Sequence, residues 1–273
     1  MDCYYINLDA ATSRRDRLEQ NFSLHAREPW RLQRFPAVDT GHVRSSNMDG
    51  MLAPSATACF LSHRQLINAS LADERPMLVL EDDAVFGEGT CDTIDRFLQG
   101  NPGFEWDIAF TDVCIPFAHT MIDLIRLRRQ WAATRQVSLL DLSKMAFGGS
   151  TAYLINGRSK RKVAALLSAA KRMDVPYDLY LRNLFREKRL AGFVFFPFIT
   201  SLSEFSEVSQ VQSNEAAATD LIWNTFRKLI WLNRTADGQQ AALAHIESRL
   251  CDEESRLFAP LFSAMTAQNY RPK

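Results

Sequence analysis

Met77-Leu78-Val79-Leu80-Glu81-Asp82-Asp83 sets four apolar residues directly against three carboxylates. The MLVL run has the character of a strand buried on both faces, as in a parallel sheet covered by helices. Carboxylates are costly inside such a strand. At its carboxyl end they are well placed, because open α/β sheets gather their ligands there. Side chains alternate along an extended backbone, so Glu81 and Asp83 are expected on one side and Asp82 on the other. A divalent cation with oxygen preference, magnesium or manganese, keeps such a pair ionised together. The competing reading is a strand that simply ends in a solvated acidic turn.

Moving outward, the chain has 273 residues, enough for one large domain or one domain with an appendage. Its 47% hydrophobic content is that of a folded protein with a sizeable core. Thirty-two basic residues balance 32 acidic ones, so no net charge draws the chain toward nucleic acid or an anionic membrane. Cys3, Cys59, Cys91, Cys114 and Cys251 show no CxxC spacing, which argues against a disulfide framework or a structural zinc site. The N-terminal arginines follow rather than precede the apolar residues, unlike a secretory signal. No segment approaches the roughly 20 apolar residues of a membrane span. The expected location is cytoplasmic, with peripheral contact at the inner face of the membrane as an option.

Strands are predicted at Cys3–Leu8, Arg31–Val38, 77–80, Asp107–Thr111, Gln136–Leu142, Ala152–Ile155 and Gly192–Phe198. Helices are predicted from Ser13 as cap through Phe22, from Ser55 or Ala56 to Ala72, from Thr90 to Leu98, from Arg158 to Lys171, and onward from Pro176-Tyr177-Asp178. Residues 41–54 are expected to form a polar loop, Asn101-Pro102-Gly103 a turn, and 121–129 either a helix or a loop. Pro197 points to an edge strand or a strand end. Strand and helix alternate, which predicts a mostly parallel central sheet flanked by helices. Beyond Asn214 only helical spacing remains, so 1–212 is expected to be the main domain and 213–273 a helical C-terminal extension.

The segments YYINLDAATSRRDRLEQNF, RFPAVD, ACFLSHRQLINASL, MLVLEDDAVF, WDIAF, GGSTAYLINGRSKRKVAALL and VPYDLYLRN occur in that order. Together they resemble glycosyltransferase family 25, the lipopolysaccharide and lipooligosaccharide sugar transferases, over about residues 3–212. The resemblance implies a GT-A type nucleotide-sugar-binding fold, a donor that is usually UDP-linked, and inversion at the anomeric carbon. It implies that Glu81-Asp82-Asp83 takes the place of the family's DxD-like metal motif, with manganese or magnesium as cofactor. The implied reaction moves a hexose, galactose or glucose, to a hydroxyl of a glycan or lipid-linked glycan. Asp83 is the expected direct ligand, Glu81 faces the ribose or a metal-bound water, and Asp82 is unassigned between supporting roles at the cofactor.

The remaining candidates each carry a plainer alternative. Asn7, at the end of the first strand, suits a nucleotide base or ribose, or else bonds the backbone of the next turn. Arg14 or Arg15 suits the diphosphate through its planar fork of donors, though arginine runs commonly form a solvated helix face. Ser62 and His63 of FLSH can face the donor or acceptor, or be hydrogen-bonded inside the core. His25, His42, His119 and His245 have no motif around them and are read as structural. An inverting transfer needs a general base; Asp178 is the first choice and Asp112 its rival, with Asp178 alternatively complementing a helix dipole. Gly148-Gly149-Ser150-Thr151 can bring backbone close to a sugar or be a plain turn. The aromatic and basic stretch 221–234 can lie on a membrane surface, but packing on the core or on a second copy is the commoner use. A metal-dependent nucleotidyltransferase or phosphoesterase, and a non-catalytic binding protein of the same fold, are the competing functions.

Overall fold

In the computed structural model, described for residues 1–46, 49–100, 103–203, 217–234, 236–248 and 252–266, the strand of the acidic motif is β3 (Met77–Glu81). Its four apolar residues are almost wholly excluded from solvent. It lies between β1 (Asp2–Asn7), its parallel neighbour, and β7 (Ala152–Ile155), which runs against it. Leu78 sits opposite Cys3 on one side and Leu154 on the other. Beyond β1 lies β2 (Arg31–Pro36), and beyond β7 lie β5 (Ile108–Phe110), β8 (Gly192–Phe196) and β6 (Ser138–Asp141), giving the order β2-β1-β3-β7-β5-β8-β6. Strands β1, β2, β3, β5 and β8 share one direction and β6 and β7 oppose them, as the register of each pair requires.

The alternation of side chains sorts the core into two layers. Met77 and Val79, Ile108 and Phe110, Tyr153 and Ile155, and Val194 and Phe196 all face one side. There they meet Phe60, Leu66 and Ile67 of α3 (Pro54–Ala69), Val163 and Leu167 of α6 (Lys160–Ser168), and Leu181, Leu184 and Phe185 of α7 (Tyr177–Arg186). Leu78, Leu80, Ala109, Ala152, Leu154 and Phe195 face the other side. They pack on Leu18 and Phe22 of α1 (Thr12–His25) and on Cys91, Ile94 and Phe97 of α4 (Thr90–Gly100). Each large apolar side chain so buried contributes about 1.5–3 kcal/mol, which is why a four-residue run is enough to fix β3 at the centre.

Several local expectations change. The stretch expected as a loop from residue 41 begins with a short helix, α2 (Thr40–Ser45). Asp39 caps it, its Oδ1 accepting from the His42 N–H at 2.8 Å, so the Asp-Thr-Gly signal marks an N-cap rather than a turn. Helix α1 starts at Thr12 without a side-chain cap, and Ser13 lies inside it. Residues 121–129 belong to one helix, α5 (Ala118–Thr134). A two-stranded ribbon, β4 (Ala84–Phe86) against β9 (Thr200–Leu202), follows the acidic turn directly. The chain continues as α8 (Ala217–Ile230), α9 (Ala236–Ser248) and α10 (Glu253–Thr266), the helical extension expected. The boundary expected at 212–213 lies outside the described residues, as do Asn101 and Pro102 of the expected turn.

Phe226 and Ile230 of α8 are buried in the main core. This is the core-packing use of the aromatic and basic stretch, although Ile222 remains exposed. Among the described residues no helix is long and apolar enough to cross a membrane. Among the described residues, Cys3, Cys59, Cys91 and Cys114 form no disulfide, and Cys251 lies outside the described residues.

Candidate active site

The carboxyl ends of β1, β3 and β5 and the start of β7 meet at one edge of the sheet, and a cleft of about 550 Å³ opens there. Glu81, Asp83, Gly149, Ser150, Thr151, Asp178, Arg182 and Arg227 line it, with Tyr177, Trp223 and Phe147 as aromatic walls. Glu81 and Asp83 face the cleft, while Asp82 turns back toward β1, where its carboxylate accepts from Asn7 Nδ2 at 2.8 Å and Arg14 Nε at 2.6 Å.

Glu81 is held from two sides. Its Oε1 accepts from the Ser150 hydroxyl and lies 3.3 Å from His63 Nε2. The other ring nitrogen of His63 is 2.8 Å from the Tyr153 hydroxyl, which is 2.7 Å from the Tyr177 hydroxyl. The imidazole also stacks flat on the Tyr177 ring, centroid to centroid 4.1 Å. A hydrogen-bonded chain thus runs through the core and ends at a carboxylate in the cleft. Burial opposes the charge on Glu81, but the bonds from His63 and Ser150 and the nearby Arg227 outweigh it and hold the carboxyl below its usual range.

Asp83 is in the opposite state. Burial pushes its carboxyl up to about 7, the Glu81 charge adds to this, and Arg14, with Nη2 3.6 Å from Asp83 Oδ2, only partly offsets it. Asp83 Oδ1 is buried with no hydrogen-bond partner. A desolvated, unpartnered carboxylate oxygen is unfavourable by itself and is what a hard oxygen-seeking cation requires. The residues present therefore fit a divalent ion held through Asp83. Magnesium and manganese sites commonly need only one or two carboxylates, with substrate phosphates completing the shell.

Asp178 stands at the first turn of α7 and lines the cleft, its Oδ2 accepting from the Gly149 N–H at 2.6 Å. Gly149 has φ of +80°, a left-handed conformation that glycine adopts without strain. The GGST segment thus bends so that one amide orients Asp178 and the next residue, Ser150, holds Glu81.

Asp112, the rival base, is fully buried and committed elsewhere. Its Oδ2 accepts from both Nε and Nη2 of Arg227, and its Oδ1 from the Thr200 hydroxyl at 3.0 Å. Both of its oxygens are thus engaged, and Asp112 does not line the cleft where an acceptor hydroxyl would lie. Ser62 is likewise turned away from the cleft: its hydroxyl donates to the Ala58 carbonyl and accepts from the Val38 N–H, each at 2.8 Å. Asn7 bonds Asp82, the Ala11 carbonyl and Arg34, so it ties β1 to the acidic turn. Arg14 reaches the triplet, whereas Arg15 pairs with its neighbour Asp16 at 3.6 Å.

Arg227 was legible in the sequence only as one cation on an amphipathic helix, and Arg182, Tyr153 and Tyr177 lay inside the family-like segments without being singled out. Arg227 also donates to Thr151 Oγ1 at 2.9 Å, pinning α8 to the start of β7. Replacing Arg227 with methionine leaves Asp112 buried and uncompensated, a loss of about 3–5 kcal/mol of stability. Urea unfolding would measure it, and the Arg227→Met, Asp112→Asn pair should recover a large part. A loss below about 1 kcal/mol would show that the ion pair does not anchor α8.

The sequence model of glycosyltransferase family 25 (LPS biosynthesis protein) matches residues 1–181. No curated protein matches the chain. Among solved structures, mouse xyloside xylosyltransferase 1 in its apo form is similar at 12% identity, covering 69% of this chain and 70% of that one, with a TM-score of 0.35.

Proposed function

The chain belongs to glycosyltransferase family 25, and from that premise we propose that it is a metal-dependent, inverting hexosyltransferase. The proposed donor is a nucleotide sugar, UDP-galactose or UDP-glucose. The proposed acceptor is a hydroxyl of a glycan or lipid-linked glycan in lipopolysaccharide or surface polysaccharide synthesis. Membership makes the chain a glycosyltransferase, so the nucleotidyltransferase, phosphoesterase and binding-only readings give way.

The observation that carries the finer reading is Asp83 Oδ1, a buried carboxylate oxygen with no partner at the end of the central strand. A divalent ion bound there would neutralise charge developing on the nucleoside diphosphate as it leaves. Arg14, paired with Asp82 and 3.6 Å from Asp83, would meet a phosphate with its guanidinium. Glu81, fixed by His63 and Ser150, keeps the floor of the cleft anionic and ordered. The acceptor hydroxyl attacks the anomeric carbon from the face opposite the diphosphate, and Asp178 takes its proton. A carboxylate oriented by a backbone amide is suited to that role because little reorganisation is needed when the proton arrives.

The test is transfer from UDP-hexoses with manganese, with magnesium and with a chelator, the product's anomeric configuration being read by NMR. The expected result is transfer with inversion that requires the added ion and is lost on chelation. Undiminished transfer in the chelator would overturn the metal assignment, and a retained configuration would overturn the single displacement.

A further inference from the structure

The hard-oxygen site at Asp83 leaves a second grouping in the cleft unexplained. Among the described residues, Cys59, His63 and Glu81 each bring one ligand atom within 4.8 Å of the other two. Cys59 and His63 are one helical turn apart on α3, so their side chains fall on the same face. Cys59 and Glu81 line the open cleft, which gives an ion a way in.

We propose that Cys59, His63 and Glu81 form a thiolate-containing divalent-metal site that takes zinc and is distinct from the ion at Asp83. The His63 Nε2 to Glu81 Oε1 separation is 3.3 Å. That matches the edge of a tetrahedron, about 3.3 Å, spanned by zinc–nitrogen and zinc–oxygen bonds near 2.0–2.1 Å. The cysteine sulfur, within 4.8 Å of both, closes the third corner by a side-chain adjustment.

The outer shell is already built. With Nε2 on the metal, His63 Nδ1 carries the proton and donates to the Tyr153 hydroxyl, which bonds Tyr177 in turn. Such a partner fixes the tautomer and orientation of a ligating histidine. Ser150 donates to Glu81 Oε1 in the same way. The donor set also sorts the metals. Sulfur and imidazole favour zinc over manganese or magnesium, whereas Asp83 offers only oxygen. On binding, the Cys59 S–H bond breaks, the sulfur becomes a thiolate bonded to zinc, and the proton leaves to solvent.

Cobalt(II), which reports zinc sites by colour, tests this with the full chain and no sugar nucleotide. The expected result is a thiolate-to-cobalt charge-transfer band and the intense visible bands of a four-coordinate ion, saturating at one equivalent and both removed by zinc. The band should vanish in Cys59→Ala and persist in Asp83→Asn. Zinc affinity should fall by about 100-fold or more in Cys59→Ala and by about 10–100-fold in Tyr153→Phe, the range for an outer-shell partner. Circular dichroism would establish that each variant is folded. A pale six-coordinate spectrum in the parent chain, a band that survives Cys59→Ala, or one that disappears in Asp83→Asn would each overturn the assignment. Because the readout is binding alone, failure here leaves manganese-dependent transfer untouched, and failure of that transfer leaves this site standing.

Discussion

Asp83→Asn should lower transfer by about 1,000-fold or more while leaving the folded state as stable as the parent or slightly more so. The two halves of that expectation come from the same surroundings. The Asp83 carboxylate is desolvated, repelled by Glu81, and has one oxygen with no hydrogen bond. An uncharged side chain of the same shape relieves the repulsion, so thermal unfolding should not suffer. Transfer should suffer severely, because charge stabilisation by a bound ion is worth several kcal/mol and each 1.36 kcal/mol is about tenfold in rate. A solvated acidic turn would also predict little change in stability, but with activity near the parent's. Steady-state rates with saturating manganese, set beside an unfolding curve for the same variant, separate the two. Parent-like turnover in Asp83→Asn would remove the ion from Asp83.

What the sequence made legible was whatever a period of two or an uninterrupted apolar run could carry. Met77 to Leu80 announces its own burial. Glu81 and Asp83 line the cleft and Asp82 does not, but Asp82 and Asp83 lie in the turn after β3, where strand alternation no longer governs. The β4 and β9 ribbon escaped because three residues are too few to show a period. Ser62 looks functional in sequence, as a polar residue beside a histidine on an apolar helix face. In three dimensions it satisfies the backbone of its own helix and of Val38. Arg227 was hidden for a different reason. Its partner Asp112 is 115 residues away, and no local pattern reports a buried ion pair across that separation. Tyr153 reads as one more apolar strand residue, yet its hydroxyl links Tyr177 to His63 and through it to Glu81.

Asp178→Asn is the second variant with a large expected effect, a fall in kcat of about 100- to 10,000-fold, the range for losing a positioned general base. Asparagine has the same shape and can still accept from the Gly149 N–H, so the cleft should keep its form and KM should change little. What it cannot do is accept the acceptor hydroxyl's proton. The competing role for Asp178 is that of an acidic residue in the first turn of α7, where it complements the helix dipole. That role is worth about 0.3–1 kcal/mol of stability and contributes nothing to turnover. Binding of the intact nucleotide sugar, followed by calorimetry, should be unchanged because the diphosphate and its ion are assigned to Arg14 and Asp83, not to Asp178. A variant with parent-like kcat and only a small loss of stability would return Asp178 to the helix and leave the base to be sought elsewhere in the cleft.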